Sequence, residues 1–561
     1  MLSFSTILTL GLGLSPDAMI FIAQVIMPAL FLFAFGACVG SLTNVLVYRM
    51  PLGLSVVTPP SRCPACETQL TWRENIPIFG WLLLRGRCRF CKSKISPEYP
   101  LVELFIALVF VAAFVVVYVI PDKAVWLDLP VGTIKPTWAR GYGAGALTWP
   151  LFTILLCLLS CLIAMTIVDA KTFTIPMGMS LTPAYYGLFA HTAFAAYFEF
   201  VARPGAKALT NVAEGWVWAI PTPTSWWWLG ASLGGGVGVL VSLLMLRLGL
   251  LSRSFEDFET WDDERRLKAE QAERTEKSEE TTPGSSKPLP DQSNGALSVA
   301  VDNSRAQPGP VPEPQASNPP ILRDLVVVLV AAVSAATVGV LVAQSLNQPR
   351  WLGGVIGLFA GLFVGAGVLR GLDFKRTTVQ ALTPTNQAEE WTEYPHARRE
   401  MVKELAFLGP IAMLGWLGGF VADRIGNGAS GAANLDAVPL TVHVLAGCVL
   451  GYLVGGGVVW LVRIFGSLLF GREAMGMGDV HLMAGVGVCV GWINTTVAFF
   501  VAAFVGLVWT LWSVVRRGGA ASAMPYGPFL AVATVLVLLG GRVIERVLSQ
   551  LLPGHGPILL P

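Results

Sequence analysis

Eleven stretches of this chain contain no Asp, Glu, Lys or Arg: 18–48, 104–121, 141–168, 172–198, 215–246, 325–349, 351–369, 405–422, 437–462, 480–515 and 518–541. About 20 apolar residues suffice to cross a bilayer as a helix. The stretch 480–515 is long enough for two helices with a turn near Gly491–Asn494. Over the 561 residues only 13% are charged and 54% hydrophobic, with mean hydropathy +0.63. A soluble chain carries roughly 25% charged residues. A single soluble domain, a disordered chain and a fibrous one are thereby excluded. A net charge of +2 gives no sign of nucleic-acid binding, and five histidines are few for a metal store. The pattern predicts an all-α polytopic membrane protein with about twelve transmembrane helices.

Lys and Arg accumulate on the cytoplasmic side of such proteins. Placing the N-terminus outside and alternating the spans puts 49–100, 169–177, 247–323, 370–403, 463–480 and 516–525 inside. These segments hold 29 of the 38 Lys and Arg residues. Long loops weigh less in the rule. Without the ten of 247–323 the balance is 19 to 9, and its sign is unchanged. The opening residues lack a positive n-region and a small-residue cleavage site, so no removable signal peptide is expected. Two polar regions interrupt the membrane pattern. Residues 49–100 are compact and Arg-rich. Residues 252–320 begin with a charged, predicted helical stretch from Phe255 to Glu280 and continue as a Pro/Ser/Gly/Gln-rich linker that cannot bury enough apolar surface to fold. The acidic cluster from Glu256 to Glu264 reads as a solvated face.

Residues 49–100 contain Cys63-Pro64-Ala65-Cys66 and Cys88-Arg89-Phe90-Cys91, two Cys-x-x-Cys pairs separated by 21 residues. Each pair presents two thiolates on one tight turn, and two turns complete a tetrahedral sulfur shell for zinc. The separation lies one residue beyond the usual roughly 15–20, which a loop accommodates. Two disulfides or a redox pair are the competing reading, disfavoured by a cytoplasmic location where thiols stay reduced. A closed four-thiolate shell leaves no position for a substrate, so this zinc is expected to be structural. Cys38, Cys157, Cys161, Cys448 and Cys489 fall in apolar spans and read as small buried hydrophobes.

Two aspartates lie at predicted membrane edges. Asp169 precedes Ile175-Pro176; proline biases the preceding residue away from helical angles, so Asp169 falls in the last two turns of its helix. Ionisable groups at membrane depth are costly and are functional candidates, the competing reading being a side chain that reaches interfacial water. Gly476-Met477-Gly478-Asp479-Val480-His481 opens a long apolar run, and Asp is also an ordinary residue for a helix start. Two glycines let an extended peptide backbone approach closely. The charge-derived topology places Asp169 and Asp479, 310 positions apart, at the same membrane face. Two carboxylates at close range tend to share one proton, the ionised partner activating water and the protonated one polarising a carbonyl. Helix-end electrostatics favour ionisation of Asp479 and a proton on Asp169. The two titrate as a coupled pair.

Together these features resemble the type IV prepilin peptidase family, the bifunctional leader peptidase and N-methyltransferase. The first block of resemblance runs from Phe35-Gly36-Ala37-Cys38 through Asn44 and Arg49-Met50-Pro51 and the cysteine segment, with Glu74-Asn75-Ile76-Pro77, Arg85-Gly86-Arg87-Cys88 and Pro97-Glu98-Tyr99-Pro100-Leu101-Val102-Glu103. It ends at Asp169 to Pro176. The second runs from about Thr441, with Gly476 to Asp479 and Met524-Pro525-Tyr526-Gly527-Pro528-Phe529. The resemblance implies an aspartic, GxGD-type membrane peptidase of the inner membrane. It would cut the basic leader from prepilins or type II secretion pseudopilins after a glycine, then methylate the new N-terminus from S-adenosylmethionine. Asp169 and Asp479 match the catalytic pair, and Cys63, Cys66, Cys88 and Cys91 the zinc-holding cytoplasmic region. Glu74, Asn75 and Gly86 are neighbours to test for methyl transfer. Prepilin or pseudopilin substrates, the lipid bilayer and pilus or secretion machinery are the implied partners.

On this reading the chain divides into a first membrane segment (1–48), the zinc domain (49–100), membrane segments with the first aspartate (101–198), an inserted region with extra spans (199–440) and membrane segments with the second aspartate (441–561). Two positions depart from the family pattern. Met177 stands where an acidic or amide residue is usual, and His481 where lysine is common. His481 reads as an interfacial side chain rather than a ligand. A proton- or ion-coupled transporter would also place carboxylates in a membrane. It leaves the four cysteines unexplained. A catalytically silent assembly protein is the third alternative, and the intact aspartates argue against it.

Overall fold

The computed structural model describes residues 15–52, 54–58, 60–121, 148–172, 174–202, 220–257, 397–428, 435–517 and 525–551, with Trp261, Leu267 and Gln271 as isolated positions. The predicted spans 325–349 and 351–369, most of the 255–280 segment and of the 252–320 linker lie outside these residues. The described chain is helical: α1 (Pro16–Arg49), α2 (Phe79–Leu83), α3 (Glu98–Val119), α4 (Trp149–Thr172), α5 (Met177–Tyr197), α6 (Trp226–Arg247), α7 (Ala397–Gly428), α8 (Leu440–Phe470), α9 (Met477–Val490), α10 (Trp492–Arg517) and α11 (Gly527–Leu551). Among the described residues two isolated β-bridges occur, both in the cysteine segment.

Among the described residues seven helices, α1, α3, α4, α6, α7, α8 and α10, are long and apolar enough to cross a membrane; α9 and the apolar part of α11 (Gly527–Gly541) are shorter. α5 is helical where a span is predicted but is not among the seven, its apolar residues being diluted by Ser180, Thr182, Pro183, His191 and Thr192. The predicted turn inside 480–515 sits at Gly491, whose φ of 83° ends α9 before α10 begins at Trp492. A left-handed residue without Cβ strain is what such a break requires.

The chain divides into two compact units, Met1–Met245 with Pro410–Pro561, and Leu246–Gly409. In the first, α9 is the most enclosed helix: from Asp479 to Val490 every residue but His481 is buried. Gly451 of α8 and Gly487 of α9 are in mutual backbone contact, each leaving no room for a Cβ. Close helix approach at small residues is how membrane helices gain packing contacts without a hydrophobic driving force between them. The same device joins α1 to α3, where Gly36 lies on Ala107 and Gly40 on Glu103, and α6 to α7, where Gly230 and Gly234 face Gly418. Phe110, Phe152, Leu158, Met165, Met483 and Leu530 belong to the apolar core these helices share. In the second unit, buried Glu400 accepts the Phe255 amide at 2.7 Å and pairs with Lys403 at 2.9 Å.

Candidate functional site

Asp169 lies in the last turn of α4 and Asp479 in the first turn of α9; both are buried, at 6% and 7% exposure. The structure brings them together around Ile175. A Cβ on Gly478 would lie 2.7 Å from the Ile175 Cβ. One on Gly527, at the start of α11, would lie 3.2 Å from Ile175 Cδ1 and 2.6 Å from Asp169 Oδ2. The Gly527 N–H donates to Asp169 Oδ2 at 3.0 Å. The charges of Asp169 and Asp479 lie within electrostatic reach of each other, and Asp479 acts on Tyr526 in the same way.

Backbone donors act on this pair besides the helix ends. A backbone amide donating to a carboxylate favours its ionised form. Gly527 acts in this way on Asp169 and the Gly476 backbone on Asp479, so the two carboxyls stay a coupled pair with the proton assigned to neither. The two glycines of the second motif also differ. Gly478 is occupied from outside by the chain's own Ile175, whereas among the described residues a Cβ on Gly476 would meet only Asp479 Oδ2 at 3.6 Å and Gly478 N at 3.9 Å. Among the described residues, the space beside Asp479 on the Gly476 side is open.

The loop that delivers Asp479 is held by a residue not assigned a role from sequence. α8 is capped by Gly471, with φ 73°, and Arg463 about two turns earlier is buried at 1% exposure. Its Nη1 donates to the Glu473 carboxylate and to the Met475 carbonyl. The Ala474 amide donates to Ser467 Oγ at 3.0 Å. Both ties fix residues 473–475 immediately before Gly476. An arginine inside a helix that is otherwise apolar is the sequence signal for this anchor. His481 is half-buried one turn into α9 and joins no group of metal-competent side chains among the described residues.

Cys63, Cys66, Cys88 and Cys91 have their ligand atoms all within 4.8 Å of one another. Cys63 and Cys91 Sγ are 3.8 Å apart, close to the edge of a tetrahedron with Zn–S bonds of about 2.3 Å. The two Cys-x-x-Cys turns repeat one design. The Cys63 amide donates to Thr68 O and the Cys88 amide to Ser93 O; Glu67 and Lys92 donate back to Cys63 O and Cys88 O. Glu67 and Lys92 take positive φ, 53° and 59°, one residue after the second cysteine of each pair. Bridges Arg62–Gln69 and Arg87–Lys94 close the two turns. Backbone N–H groups of Cys66 and Ala65 pull the Cys63 thiol down to about 6, and the Ser93 hydroxyl lowers Cys91. This donor set fits zinc.

Glu74, Asn75 and Gly86 lie in the same segment. Glu74 accepts the Thr71 amide at 2.7 Å and pairs with Arg89 at 3.3 Å, which hold its carboxyl below the usual range. Gly86, with φ 67°, lies against the Trp81 ring, which a Cβ would meet at 2.8 Å, and Trp81 Nε1 donates to Ile95 O at 3.2 Å. Asn75 is exposed. Glu74 and Gly86 are engaged in shaping the segment itself.

Two family profiles match the chain. The bacterial peptidase A24 N-terminal domain matches residues 34–117, and the type IV leader peptidase family matches 411–511. The first contains the four cysteines and the second Asp479; Asp169 lies between them. The second match begins inside α7. A prepilin leader peptidase/N-methyltransferase of Myxococcus xanthus is 56% identical over 84 residues, 15% of this chain and 25% of that relative. One of Klebsiella pneumoniae is 34% identical over 166 residues, 28% and 59% of the two chains. A type 4 prepilin-like proteins leader peptide-processing enzyme of Escherichia coli is 40% identical over 99 residues, 14% and 37%. The chain thus spans from 25% to 59% of the length of these relatives. No solved structure matches it. The resemblance read from the motifs holds in both blocks, with a long stretch between them.

Proposed function

We propose that this protein is an aspartic endopeptidase of the inner membrane that removes the basic leader from prepilins or type II secretion pseudopilins after a glycine. The observation that carries the reading is the convergence of Asp169 and Asp479 around Ile175, from 310 positions apart in sequence, in a chain whose relatives are named for prepilin processing. The balance of Lys and Arg supports a cytoplasmic location for both aspartates and for the four-cysteine domain, the side on which a basic leader is held.

In the proposed reaction the pair shares one proton. The ionised carboxylate accepts a proton from water, whose oxygen attacks the scissile carbonyl carbon while the protonated carboxyl donates to the carbonyl oxygen. Collapse of the tetrahedral gem-diol breaks the C–N bond as the pair takes back one hydroxyl proton and gives the proton won from water to the departing amine. Gly527 orients Asp169 through its amide, Arg463 fixes the approach to Asp479, and the open Gly476 side admits an extended substrate backbone. The two aspartates act as one unit, so neither role is assigned to a single residue.

Zinc held by Cys63, Cys66, Cys88 and Cys91 would fix the fold of the domain and take no part in hydrolysis. Methyl transfer from S-adenosylmethionine is proposed on the relatives' names alone, and no step is derived for it.

Leader cleavage of a prepilin by the full chain in membranes tests the proposal. Wild-type protein should convert precursor to mature pilin, and Asp169→Asn and Asp479→Asn should each leave it uncleaved at unchanged protein level. Uncleaved precursor with wild-type protein, or full cleavage by either variant, would overturn the reading.

A further inference from the structure

The short helix α2 presents an apolar face that is exposed among the described residues. Phe79, Leu82 and Leu83 are 57%, 55% and 76% exposed. Their i, i+3, i+4 spacing puts them on one side of the helix, while Gly80 is buried and Trp81 is turned towards Gly86. The level of this face relative to the membrane helices is fixed by a hydrogen bond. The amide of Ile78, the residue preceding α2, donates to Glu103 Oε2 at 2.6 Å. Glu103 is the sixth residue of α3, about 7 Å along that helix from its start. The segment is also tied at both ends to spanning helices, since α1 ends at Arg49 and α3 begins at Glu98. The apolar face therefore lies at the depth where a spanning helix leaves the hydrocarbon.

Cations follow it directly. Arg85 and Arg87 are exposed on the turn after α2, and the Arg87–Lys94 bridge brings a third cation beside them. Between residues 49 and 100 there are eight Lys and Arg against three Glu. Apolar side chains backed by basic ones are the composition of a segment lying in the plane of an anionic bilayer surface.

We infer that α2 and the Arg85–Arg87 turn dock the four-cysteine segment onto the bilayer, with Phe79, Leu82 and Leu83 entering the acyl boundary and the arginines meeting anionic headgroups. The occupant is lipid because the Ile78–Glu103 bond holds this face at the membrane level and because its flanking charge is complementary to anionic lipid. The inference is independent of the peptidase reading.

The test uses the full chain in nanodiscs, with a benzophenone amino acid placed at position 83 and adducts read by mass spectrometry. Phosphatidylcholine discs are compared with discs that also contain phosphatidylglycerol. Lipid adducts at position 83 are expected, and more of them with phosphatidylglycerol. Removing each cation by Arg85→Gln or Arg87→Gln should lower the docked-to-undocked ratio about fivefold in the anionic discs. Hydrogen exchange of residues 79–87 in wild-type protein provides a second reading that needs no substitution, with slower exchange expected in the anionic discs. Absence of lipid adducts, adducts to protein only, or adducts and exchange that ignore both lipid charge and the arginines would each overturn the inference.

Discussion

The two candidate sites are built in opposite ways. The cysteine cluster is assembled within residues 63–91 by two turns with the same hydrogen-bond pattern, on an exposed segment. The aspartate pair is assembled from α4, α9 and α11, with partners as far as 358 positions apart, in a buried region. A local site depends on its own ligands and on a few backbone angles. A distant one depends on helix packing and on loops that carry no reacting group. Damage to one should therefore leave the other standing, and that separation is open to measurement.

The largest effect is expected at the pair itself. Asp169→Asn and Asp479→Asn should each lower leader cleavage by more than about 10³-fold, the scale of losing an essential acid or base, while zinc content measured by metal analysis is unchanged. Cys63→Ser or Cys88→Ser should reverse the pattern, with loss of bound zinc and proteolytic sensitivity confined to residues 60–96, the helical core still resisting protease. A chain that unfolds throughout on losing a cysteine would break the comparison. Gly527→Ala places a methyl against Asp169 Oδ2 and should cost up to about 10²-fold in cleavage, the scale of displacing a reacting group by a fraction of an ångström to one ångström, with zinc unaffected. Arg463→Leu should reduce cleavage by about tenfold and expose residues 471–476 to protease, with partial recovery in Arg463→Lys, because its partner Glu473 is only half-covered and a charge pair of that kind is worth little. Gly86→Ala should be the mildest, destabilising the cysteine segment by about 1–2 kcal/mol through its left-handed φ, as measured by hydrogen exchange, with cleavage retained.

The same contrast governs what could be read from the sequence. The Cys-x-x-Cys pairs carry their geometry in their spacing, and the four sulfurs are clustered as expected. The charge-free runs mark the helices because lipid demands long apolar segments, and the break at Gly491 falls inside the predicted turn. Asp169 and Asp479 could be singled out because a carboxylate at membrane depth is costly. Their surroundings could not. Nothing in the chain's periodicity shows that Ile175 sits between Gly478 and Gly527, or that the Gly527 amide reaches Asp169, because those contacts depend on tertiary packing of three helices. The helix ends give the dipoles of α4 and α9 but not the donor that α11 supplies to Asp169. Arg463 was legible only as a charge near the end of an apolar run, and its role depends on how the chain turns back at Gly471.

The proposed hydrolysis requires two carboxyl positions to meet in the folded chain. Asp169→Cys combined with Asp479→Cys, treated in native membranes with a short bifunctional thiol reagent and read by mass spectrometry, tests this most directly. A cross-linked peptide pair containing positions 169 and 479, absent from either single variant, is the predicted result. Both cysteines labelled by monofunctional reagent yet never cross-linked to each other would contradict it.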